Sequence, residues 1–171
     1  MGEITSLRPP ELLAEHHRLE SFSCGEDSLD DWLRRRARAN QASGASRTYV
    51  VCENEIAIGY YVLASGAVTV DSAPGRFRRN MPSPIPVAVL ARLAVDRTWQ
   101  GKGVGRALFR DAAFRVAQAA DVIGIRGIVV HAISDEARNF YIALGFDPSP
   151  QEPMTLMVTL KDVRAVLAEQ K

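Results

Sequence analysis

A glycine-rich turn between an apolar segment and a long amphipathic segment constrains this chain more than any other feature. The segment Val87–Val95 is almost continuously apolar and predicts a strand that is buried on both faces. A helix is predicted from about Gly103 to Ala120, because its apolar residues recur on one helical face. In the intervening turn, Gln100–Arg106, every second residue is glycine. Such a turn leaves backbone N–H groups free at the positive end of a helix dipole, and this arrangement suits a pyrophosphate.

The spacing of the glycines excludes two common phosphate-binding motifs. The residue three positions beyond Gly105 is Leu108, so the dinucleotide-binding pattern G-x-G-x-x-G does not occur here. Lys102 is followed by Gly103, where a P-loop has Ser or Thr, so the turn is not a P-loop. The alternating glycines are expected to adopt positive φ and to let phosphate oxygens approach the backbone. An ordinary strand-to-helix turn without a ligand is the alternative.

The remaining pattern, Gln100-x-x-Gly103-x-Gly105, resembles the acyl-CoA pyrophosphate loop of the GNAT family of N-acetyltransferases. This resemblance implies a mixed α/β fold, the GNAT fold, with a central mixed sheet flanked by helices and with acetyl-CoA as cosubstrate. It also implies that the strand Val87–Val95 splays away from a strand at Ile125–Ala132, so that pantetheine enters the gap. The cofactor contacts that the resemblance implies are Leu93, Ala94, Val95, Gln100, Gly101, Lys102, Gly103, Val104, Gly105, Arg106 and Asn139.

A second motif agrees with the first. Ala137 and the run Asn139–Phe146 resemble the pattern A-x-x-F-Y-x-x-x-G-F, which many GNAT domains carry late in the chain. The resemblance places Tyr141 beside the sulfur of acetyl-CoA. A phenol with a pKa of about 10 stays protonated at neutral pH and can donate a proton to a departing thiolate. Tyr141 is therefore predicted to be the general acid, and a packed ring whose hydroxyl only makes a structural hydrogen bond is the alternative.

Several further segments, spread from about Phe22 to Leu160, carry a more specific resemblance. They are Phe22–Gly25, Leu29–Leu33, Gly44–Val50, Gly59–Tyr61, Pro74–Pro82, Pro84–Val87 and Ser134–Arg138. Together they resemble the TacT-like GNAT toxins of bacterial type II toxin–antitoxin modules. The resemblance implies acetylation of the α-amine of aminoacyl-tRNA, which blocks translation. It further implies a ribbon-helix-helix antitoxin as partner, a homodimer, and DNA binding only through the antitoxin.

A tRNA ligand requires basic groups, and the arginines of this chain are clustered although the formal net charge is only +1. Ion pairs Asp30–Arg34 and Asp31–Arg35 on a solvated helix are an alternative use of the first cluster. Arg92 lies in an apolar strand, where a structural salt bridge is the alternative. The predicted tRNA contacts are Arg34, Arg35, Arg36 and Arg38 on a helix, Arg76, Arg78 and Arg79 in a proline-bounded loop, and Arg92.

The predicted chemistry needs few catalytic groups. An α-amine has a reference pKa of about 8, so an appreciable fraction is neutral at physiological pH. The motifs contain no adjacent Glu or His base, and His131, which could assist, is expected to be structural. Direct attack of the amine on the thioester is therefore predicted. By resemblance, Leu93 and Val95 pair with pantetheine, and the Val95 N–H polarises the acetyl carbonyl.

Two other functions stay open at this point. One is acetylation of a protein N-terminus, a polyamine or another small amine, for which an acidic acceptor cleft is expected. The other is an acyl-CoA-binding regulator without catalysis. The chain carries no recognisable DNA-reading motif.

Composition places the chain among cytoplasmic single-domain proteins. Its 171 residues suit one domain, residues 1–171. No apolar run approaches the roughly 20 residues that span a bilayer, and Met1–Ser6 does not resemble a secretory signal. Cys24 and Cys52 lack a C-x-x-C partner, which suits reduced thiols. The three histidines show no metal-ligand spacing, so no metal cofactor is expected.

The remaining elements follow from periodicity and from capping residues. The segment Asp71–Pro86 is expected to be a loop because of its prolines. The other predicted helices are Pro9–Leu19, a helix from Asp27 or Ser28 (as cap) to about Ala42 that Ser43-Gly44-Ala45 ends, a helix from a Ser134 cap to Leu144-Gly145, and Lys161–Lys171. The other predicted strands are Arg47–Cys52, Ile56–Ala67 and Met154–Leu160.

Overall fold

The computed structural model describes residues 7–169 of the chain. Two predictions therefore lie partly or wholly outside the described residues: the absence of a signal at Met1–Ser6 and the last two residues of the C-terminal helix. The strands are β1 (Glu11–Leu12), β2 (Arg47–Glu53), β3 (Ile56–Val68), β4 (Ile85–Val95), β5 (Gly127–His131), β6 (Asp147–Pro148) and β7 (Thr155–Thr159). The helices are α1 (Asp27–Arg35), α2 (Ala37–Ser43), α3 (Gly75–Arg78), α4 (Val104–Ala119), α5 (Asp135–Ala143) and α6 (Leu160–Glu169).

The strands of the described residues hydrogen-bond in the order β1-β2-β3-β4-β5-β7-β6. β1 pairs antiparallel with β2, β2 with β3, and β7 with both β5 and β6. β4 and β5 are parallel, and a parallel pair needs a crossover connection, which contains α4. The predicted mixed α/β class is confirmed.

Contacts within the chain divide it into two compact units. The first unit comprises the chain up to Ala64 together with Ala91–Ala112, and the second comprises Ser65–Leu90 together with the chain from Ala113 onward. β3, β4 and α4 each contribute residues to both units. Each unit has its own cluster of buried apolar side chains.

The core of the first unit lies between α1, α2 and the strands β2 and β3. Leu33 and Ala37 of the helices are fully buried, as is Tyr60 of β3. The Tyr60 hydroxyl donates to the carbonyl of Leu29 at 2.7 Å, and its ring meets that of Phe22 edge to face at 5.5 Å. Burial of each such large side chain contributes about 1.5–3 kcal/mol, so α1 is held firmly on the strands.

A glycine in β3 lets α4 begin close to the strands of the first unit. A Cβ at Gly59 would lie 3.0 Å from Cγ1 of Val51, 3.1 Å from Cδ1 of Leu108 and 3.4 Å from Cγ1 of Val104. Val104 and Leu108 are both buried and lie in the first two turns of α4. A side chain at Gly59 would therefore press against the side chains of Val51, Val104 and Leu108, so glycine allows this close approach of α4 to the strand.

The core of the second unit surrounds the ring of Phe77. This ring packs among side chains of β4, β5 and β7, including Val87, Val129 and Met157. A Cβ at Gly127 of β5 would overlap the carbonyl oxygen of Val158 and lie 2.7 Å from Cε1 of Phe77. Gly127 is therefore required where β5, β7 and α3 come together.

The helix predicted for Pro9–Leu19 is wrong. Glu11–Leu12 instead forms β1, and the Leu13 N–H donates to the carbonyl of Thr48 at 2.8 Å. Pairing with the free edge of β2 satisfies backbone groups that a helix would satisfy internally, while Leu13 and Leu19 are still buried.

The one long helix predicted from Asp27 or Ser28 is two helices, α1 and α2. The chain breaks at Arg36, whose φ of −119° lies far from the helical value of about −63°. The predicted cap is also wrong, because the N-cap residue is Glu26 and its side chain makes no capping hydrogen bond. Gly44 ends α2 with φ +84°, so the predicted stop is confirmed.

The sequence predicts that the segment Asp71–Pro86 is a loop, and this prediction is only partly correct. The segment overlaps a 3₁₀ turn at Val70–Ser72, contains α3, and ends inside β4, which begins at Ile85. These pieces are too short for periodicity to reveal, and the burial of Phe77 holds α3 in place.

The remaining predicted strands and helices are confirmed with shifts of a few residues at their ends. The Ser134 hydroxyl accepts a hydrogen bond from the Ala137 N–H at 3.1 Å, so the predicted cap of α5 is confirmed. Gly145 follows α5 with φ +101°, which is the left-handed conformation expected after a helix.

Candidate functional site

The turn before α4 presents unpaired backbone N–H groups. Gly101 and Gly103 adopt φ of +77° and +88°, whereas Gly105 lies in the first helical turn without positive φ, so that prediction is wrong for Gly105. The first helical hydrogen bond runs from the Ala107 N–H to the Gly103 carbonyl at 3.1 Å. The N–H groups of residues 104–106 have no acceptor within residues 7–169. At the positive end of a sixteen-residue helix, these groups can bind an anion.

The side chain of Gln100 holds this turn against the first unit. Its Nε2 donates to the carbonyl of Cys24 at 2.8 Å and to the carbonyl of Val95 at 2.9 Å. Both amide hydrogens are therefore used within the protein. The backbone N–H of Gln100 donates to the carbonyl of Arg97 at 3.4 Å, so only the carbonyl and the side-chain Oε1 of Gln100 remain available to a ligand.

Asp96 is a second brace of the turn that sequence reasoning missed. Its carboxylate accepts hydrogen bonds from the N–H groups of Ser23 at 3.1 Å and Thr98 at 3.0 Å. The local half of this arrangement is an Asx turn, which an Asp two residues before Thr98 could have suggested. The contact with Ser23 joins residues 73 positions apart and has no local signal.

One edge of β4 carries the residues predicted to pair with pantetheine. The Asp96 N–H donates to the carbonyl of Ile58 on β3 at 2.8 Å. Because successive residues of a strand direct their backbone groups to opposite edges, the N–H groups of Leu93 and Val95 point away from β3. Ala94 between them is buried in the core of the first unit.

The parallel ladder of β4 and β5 is short. It consists of the pairs Ala88↔Ile128 and Val89↔Val129, although β4 has eleven residues and β5 has five. So short a ladder agrees with the predicted splaying of these two strands.

Tyr141 lies in α5 with a buried ring and an uncommitted hydroxyl. The ring packs edge to face against Phe140 at 5.2 Å and against Phe146 at 5.3 Å. Within the described part of the chain the hydroxyl has no hydrogen-bond partner, and burial raises the pKa of Tyr141 above the ordinary value of a phenol. The phenol is therefore protonated at neutral pH and free to donate, which disfavours the alternative of a purely structural hydroxyl.

The two other polar residues considered from the sequence, Asn139 and His131, have different surroundings. Asn139 is exposed on α5, two residues before Tyr141. The Nδ1 of His131 lies 3.0 Å from the hydroxyl oxygen of Thr155 on β7. His131 thus has a partner across the β5–β7 pair, in agreement with the structural role expected for it.

Arg34 of α1 is engaged within the protein. Its guanidinium donates to the carbonyl of Phe22 at 2.7 Å and to the carboxylate of Asp31 at 3.1 Å. The two ion pairs considered from the sequence, Asp30–Arg34 and Asp31–Arg35, are therefore wrong. Asp30 is buried and accepts a hydrogen bond from a backbone N–H instead.

Arg38 of α2 fastens the segment that follows β1. It donates to the carbonyl of His17 at 2.7 Å and to the carbonyl of Ala14 at 3.3 Å. Arg35 and Arg36 are exposed and have no partner among residues 7–169. Of the four arginines predicted to bind tRNA on these helices, these two are free for a ligand.

This division predicts that Arg38 contributes to stability and Arg35 does not. Arg38→Ala is expected to lower the free energy of unfolding by about 1–3 kcal/mol, since two carbonyls lose a charged donor. Arg35→Ala removes the same charge and is expected to change it by less than about 0.5 kcal/mol. Urea unfolding of both variants checks this, and equal stabilities would contradict the structural role of Arg38.

The second arginine cluster consists of Arg76 and Arg78 of α3 and of Arg79, which follows the helix as its C-cap. The Nε of Arg76 lies 3.2 Å from a carboxylate oxygen of Asp162, and the ring of Phe77 fills the core below. Arg78 and Arg79 are exposed, without partners in the described residues. They are the arginines of this cluster that a phosphate can reach without breaking an ion pair.

Arg92 makes no salt bridge within the described chain, so the structural alternative considered for it is not found. Its guanidinium carbon lies 4.7 Å from the ring centroid of Trp32. The Trp32 ring is in turn stacked with Tyr60, with centroids 6.2 Å apart and planes inclined by 6°. A guanidinium held by an aromatic face keeps its N–H edge available for an acceptor.

A cluster of Glu11, His16 and His17 brings possible metal ligands within 4.8 Å of one another. The Ala14 N–H donates to Nδ1 of His17 at 2.9 Å, so the ring proton of neutral His17 resides on Nε2. That Nε2–H donates to Glu11 at 2.7 Å. Both nitrogens of His17 are therefore occupied by hydrogen bonds, and the cluster does not offer three free ligands.

No helix among residues 7–169 has the length and apolar character needed to span a membrane.

The comparisons with known proteins agree with this arrangement. The family described as "Acetyltransferase (GNAT) domain" matches residues 44–148. The tRNA-acetylating toxin of Mycobacterium tuberculosis is 52% identical over 160 residues, which cover 94% of this chain and 96% of the toxin.

Solved structures of toxins have the same fold. AtaT complexed with acetyl-methionyl-tRNAfMet superimposes with a TM-score of 0.87 at 29% identity, covering 94% of this chain and 99% of AtaT. A tyrosine-to-phenylalanine mutant of AtaT bound to acetyl-CoA and the C-terminus of the antitoxin AtaR gives a TM-score of 0.81 at 28% identity, covering 95% and 99%. The chain therefore belongs to the GNAT acetyltransferases, within the group that contains the tRNA-acetylating toxins.

Proposed function

We propose that this acetyltransferase moves the acetyl group of acetyl-CoA to the α-amine of aminoacyl-tRNA. The observation that carries the proposal is the row of unpaired N–H groups at the start of α4, which fits a pyrophosphate, in a chain 52% identical to a tRNA-acetylating toxin. The relative AtaT has been solved with acetyl-methionyl-tRNAfMet, which supports the same substrate class here.

We assign acetyl-CoA contacts to two segments, the start of α4 and the end of β4, and to one residue of α5. The pyrophosphate would bind the N–H groups of residues 104–106, with the exposed cations Lys102 and Arg106 nearby in sequence. The pantetheine arm would pair with Leu93 and Val95 through the edge of β4 that points away from β3. The other assigned residues of these two segments are Ala94, Gln100, Gly101, Gly103, Val104 and Gly105, and Asn139 is assigned separately, on α5.

The acetyl-CoA supplies an activated thioester, and the chain's residues direct its aminolysis. The neutral α-amine forms a C–N bond to the acetyl carbon, and the N–H of Val95 stabilises the oxygen that becomes negative. The C–S bond then breaks, and the sulfur takes the proton of the Tyr141 hydroxyl. The acetylated amine loses its extra proton to water, and the Tyr141 phenolate regains a proton from water, so the enzyme returns to its starting state. The amine attacks the thioester directly, and no covalent enzyme intermediate forms.

We assign Tyr141 as the general acid because its hydroxyl is protonated and uncommitted. A tyrosine-to-phenylalanine mutant of AtaT is solved with acetyl-CoA bound, which supports retention of cofactor binding after such a change.

The pH dependence of the reaction follows from these groups. With saturating acetyl-CoA, kcat/KM for aminoacyl-tRNA is expected to rise with pH and to level off above about 8, as the α-amine loses its proton. Burial raises the pKa of Tyr141, so no decline from its ionisation is expected below about 10. Single-turnover rates measured at each pH check this. The tRNA is charged freshly for each measurement, because the aminoacyl ester bond hydrolyses in base. A decline between pH 8 and 9 would contradict the assigned acid.

We assign the binding of tRNA phosphates to the exposed arginines whose side chains have no partner in the described residues: Arg35, Arg36, Arg78 and Arg79. Arg92 is assigned an accessory contact with the tRNA. Arg34, Arg38 and Arg76 then position the elements that carry them.

Acetylation of the α-amine would prevent that amine from forming a peptide bond and so block translation. We further propose a cognate ribbon-helix-helix antitoxin, a homodimer, operator DNA binding only through the antitoxin, and action in the cytoplasm as one domain, residues 1–171. AtaT is solved with its antitoxin AtaR, and with AtaR and DNA, which supports an antitoxin partner.

Incubation of the protein with labelled acetyl-CoA and total aminoacyl-tRNA tests the substrate. The expected result is label on charged tRNA, released by mild base as N-acetyl amino acids that mass spectrometry identifies. Deacylated tRNA, and methionyl-tRNA whose amine is already formylated, are the controls and should take no label. Transfer to peptides or polyamines but never to charged tRNA would overturn the proposal, and binding of acetyl-CoA without any transfer would indicate a regulator.

A further inference from the structure

We propose that Arg126 is a positioning residue for tRNA binding, which holds α3 so that Arg78 and Arg79 face the phosphates. This inference rests on the proposed function and assigns a residue that no sequence motif marks. Arg126 precedes β5 and lies 47 and 48 positions beyond the two arginines it would position.

The guanidinium of Arg126 binds the backbone of α3 directly. Its Nε donates to the carbonyl of Phe77 at 2.8 Å, and its Nη2 donates to the carbonyl of Arg76 at 3.0 Å. α3 has only four residues, so these carbonyls have no partner further along the helix. A helix of this length is not stable by itself, because nucleation is unfavourable. The fork of Arg126 therefore helps to maintain the backbone that carries Arg78.

Hydrogen bonds from two other segments hold the backbone of Arg126 in place. Its N–H donates to the carbonyl of Pro86 at 2.8 Å, and its carbonyl accepts from the Leu160 N–H at 3.1 Å. The next residue is Gly127, where any side chain would clash with the Val158 carbonyl and with the ring of Phe77. The guanidinium thus extends from a rigid point of the second unit.

Further contacts hold the same short helix. The Phe77 ring is 1% exposed, and Arg76 pairs with Asp162 of α6. These contacts engage the side chains of Arg76 and Phe77, and the side chains of Arg78 and Arg79 are exposed without partners in the described chain. Two guanidinium groups on a backbone that is already ordered lose less entropy on binding a phosphate chain than they would on a mobile loop.

The experiment compares Arg126→Lys with Arg164→Lys. Both variants keep the charge, but Lys cannot donate to two neighbouring carbonyls as the Arg fork does. Arg164 is a matched control, because it donates to the carbonyl of Ala117 at 3.2 Å and lies 3.6 Å from a carboxylate oxygen of Asp121, and within residues 7–169 no hydrogen bond or ion pair joins it to α3. The dissociation constant of unfractionated deacylated tRNA is measured by filter binding at several salt concentrations.

Arg126→Lys is expected to weaken tRNA binding about fivefold as preorganisation is lost. The slope of log Kd against log salt is expected to become shallower by about 1, which corresponds to the loss of roughly one phosphate contact. Arg164→Lys should change neither quantity, and both variants should bind acetyl-CoA like the parent. Unchanged tRNA affinity and slope for Arg126→Lys would overturn the inference.

A double-mutant cycle separates positioning from a direct contact. In the background of Arg78→Ala with Arg79→Ala, Arg126→Lys is expected to have no further effect on tRNA affinity, because there is nothing left to position. The same loss in both backgrounds would show that Arg126 acts independently and would overturn the inference.

The experiment distinguishes three cases: misfolding of the variant, failure of this inference, and failure of the proposed function. If Arg126→Lys fails to fold, the inference is tested with the double variant Arg78→Ala, Arg79→Ala. This variant is expected to bind tRNA more weakly than the parent, and an unchanged affinity overturns the inference. If the parent protein acetylates charged tRNA while Arg126→Lys matches it in affinity and slope, only this inference fails. If the parent transfers no acetyl group to any charged tRNA, the proposed function fails instead.

Discussion

Tyr141→Phe is expected to lower kcat for acetyl transfer to aminoacyl-tRNA by about 100- to 10,000-fold, the usual contribution of a positioned general acid. The ring packs against Phe140 and Phe146 without using its hydroxyl, so phenylalanine can occupy the same space. The dissociation constant of acetyl-CoA should stay within about twofold of the parent value, since the change removes an interaction made only with the leaving thiolate. Rapid-quench assays with labelled acetyl-CoA measure kcat, and calorimetry measures cofactor binding.

Tyr60→Phe is the matched control for this variant. It also removes the hydroxyl of a buried tyrosine, but that hydroxyl donates to the Leu29 carbonyl at 2.7 Å. Its expected effect is a loss of about 1–3 kcal/mol of unfolding free energy, because a buried carbonyl loses its donor. Its kcat should stay near that of the parent. Normal turnover by Tyr141→Phe would rule out the assigned acid.

Arg106→Glu is expected to weaken acetyl-CoA binding by at least about 100-fold while it stabilises the fold. Arg106 is exposed in the first turn of α4, where a carboxylate interacts favourably with the helix dipole by about 0.3–1 kcal/mol. The same carboxylate would compete with the pyrophosphate for unpaired N–H groups and repel it. Opposite signs for stability and affinity are the signature of an anion site at this helix end.

Lys161→Glu provides the control for the change of charge. Lys161 is exposed in the first turn of α6, so the substitution alters net charge and helix dipole in the same way. It is expected to stabilise the protein to a similar extent and to leave acetyl-CoA affinity unchanged. Calorimetric titration and urea unfolding of both variants decide the matter. If Arg106→Glu retained normal affinity, the pyrophosphate would not bind at the start of α4.

Features that depend on neighbouring residues were predictable from the sequence. The turn at Gly101 and Gly103, the cap at Ser134 and the stop at Gly44 each depend on conformations that one or two residues determine. Long apolar or amphipathic segments were predictable for a similar reason, because burial on a strand or helix follows its period.

The failures lie where a distant segment supplied the partner. Glu11–Leu12 was predicted to be helical but pairs with β2, and a free strand edge is not visible in local periodicity. The arginines posed the same difficulty, because local sequence does not distinguish an Arg that is exposed to solvent from an Arg that binds a carbonyl. Arg38 reaches residues 21 and 24 positions away.

The sequence by itself determined the family, the position of the glycine turn and the identity of the candidate acid, because motifs record residue types at set spacings. The tertiary structure alone decided which side chains remain available. It engaged Arg34, Arg38 and Arg76 in protein contacts, left Arg78 and Arg79 exposed, and directed Arg126 toward the carbonyls of α3. The physical reason is that a hydrogen bond or ion pair requires two groups within about 3 Å, and chain folding brings such groups together regardless of their separation in sequence.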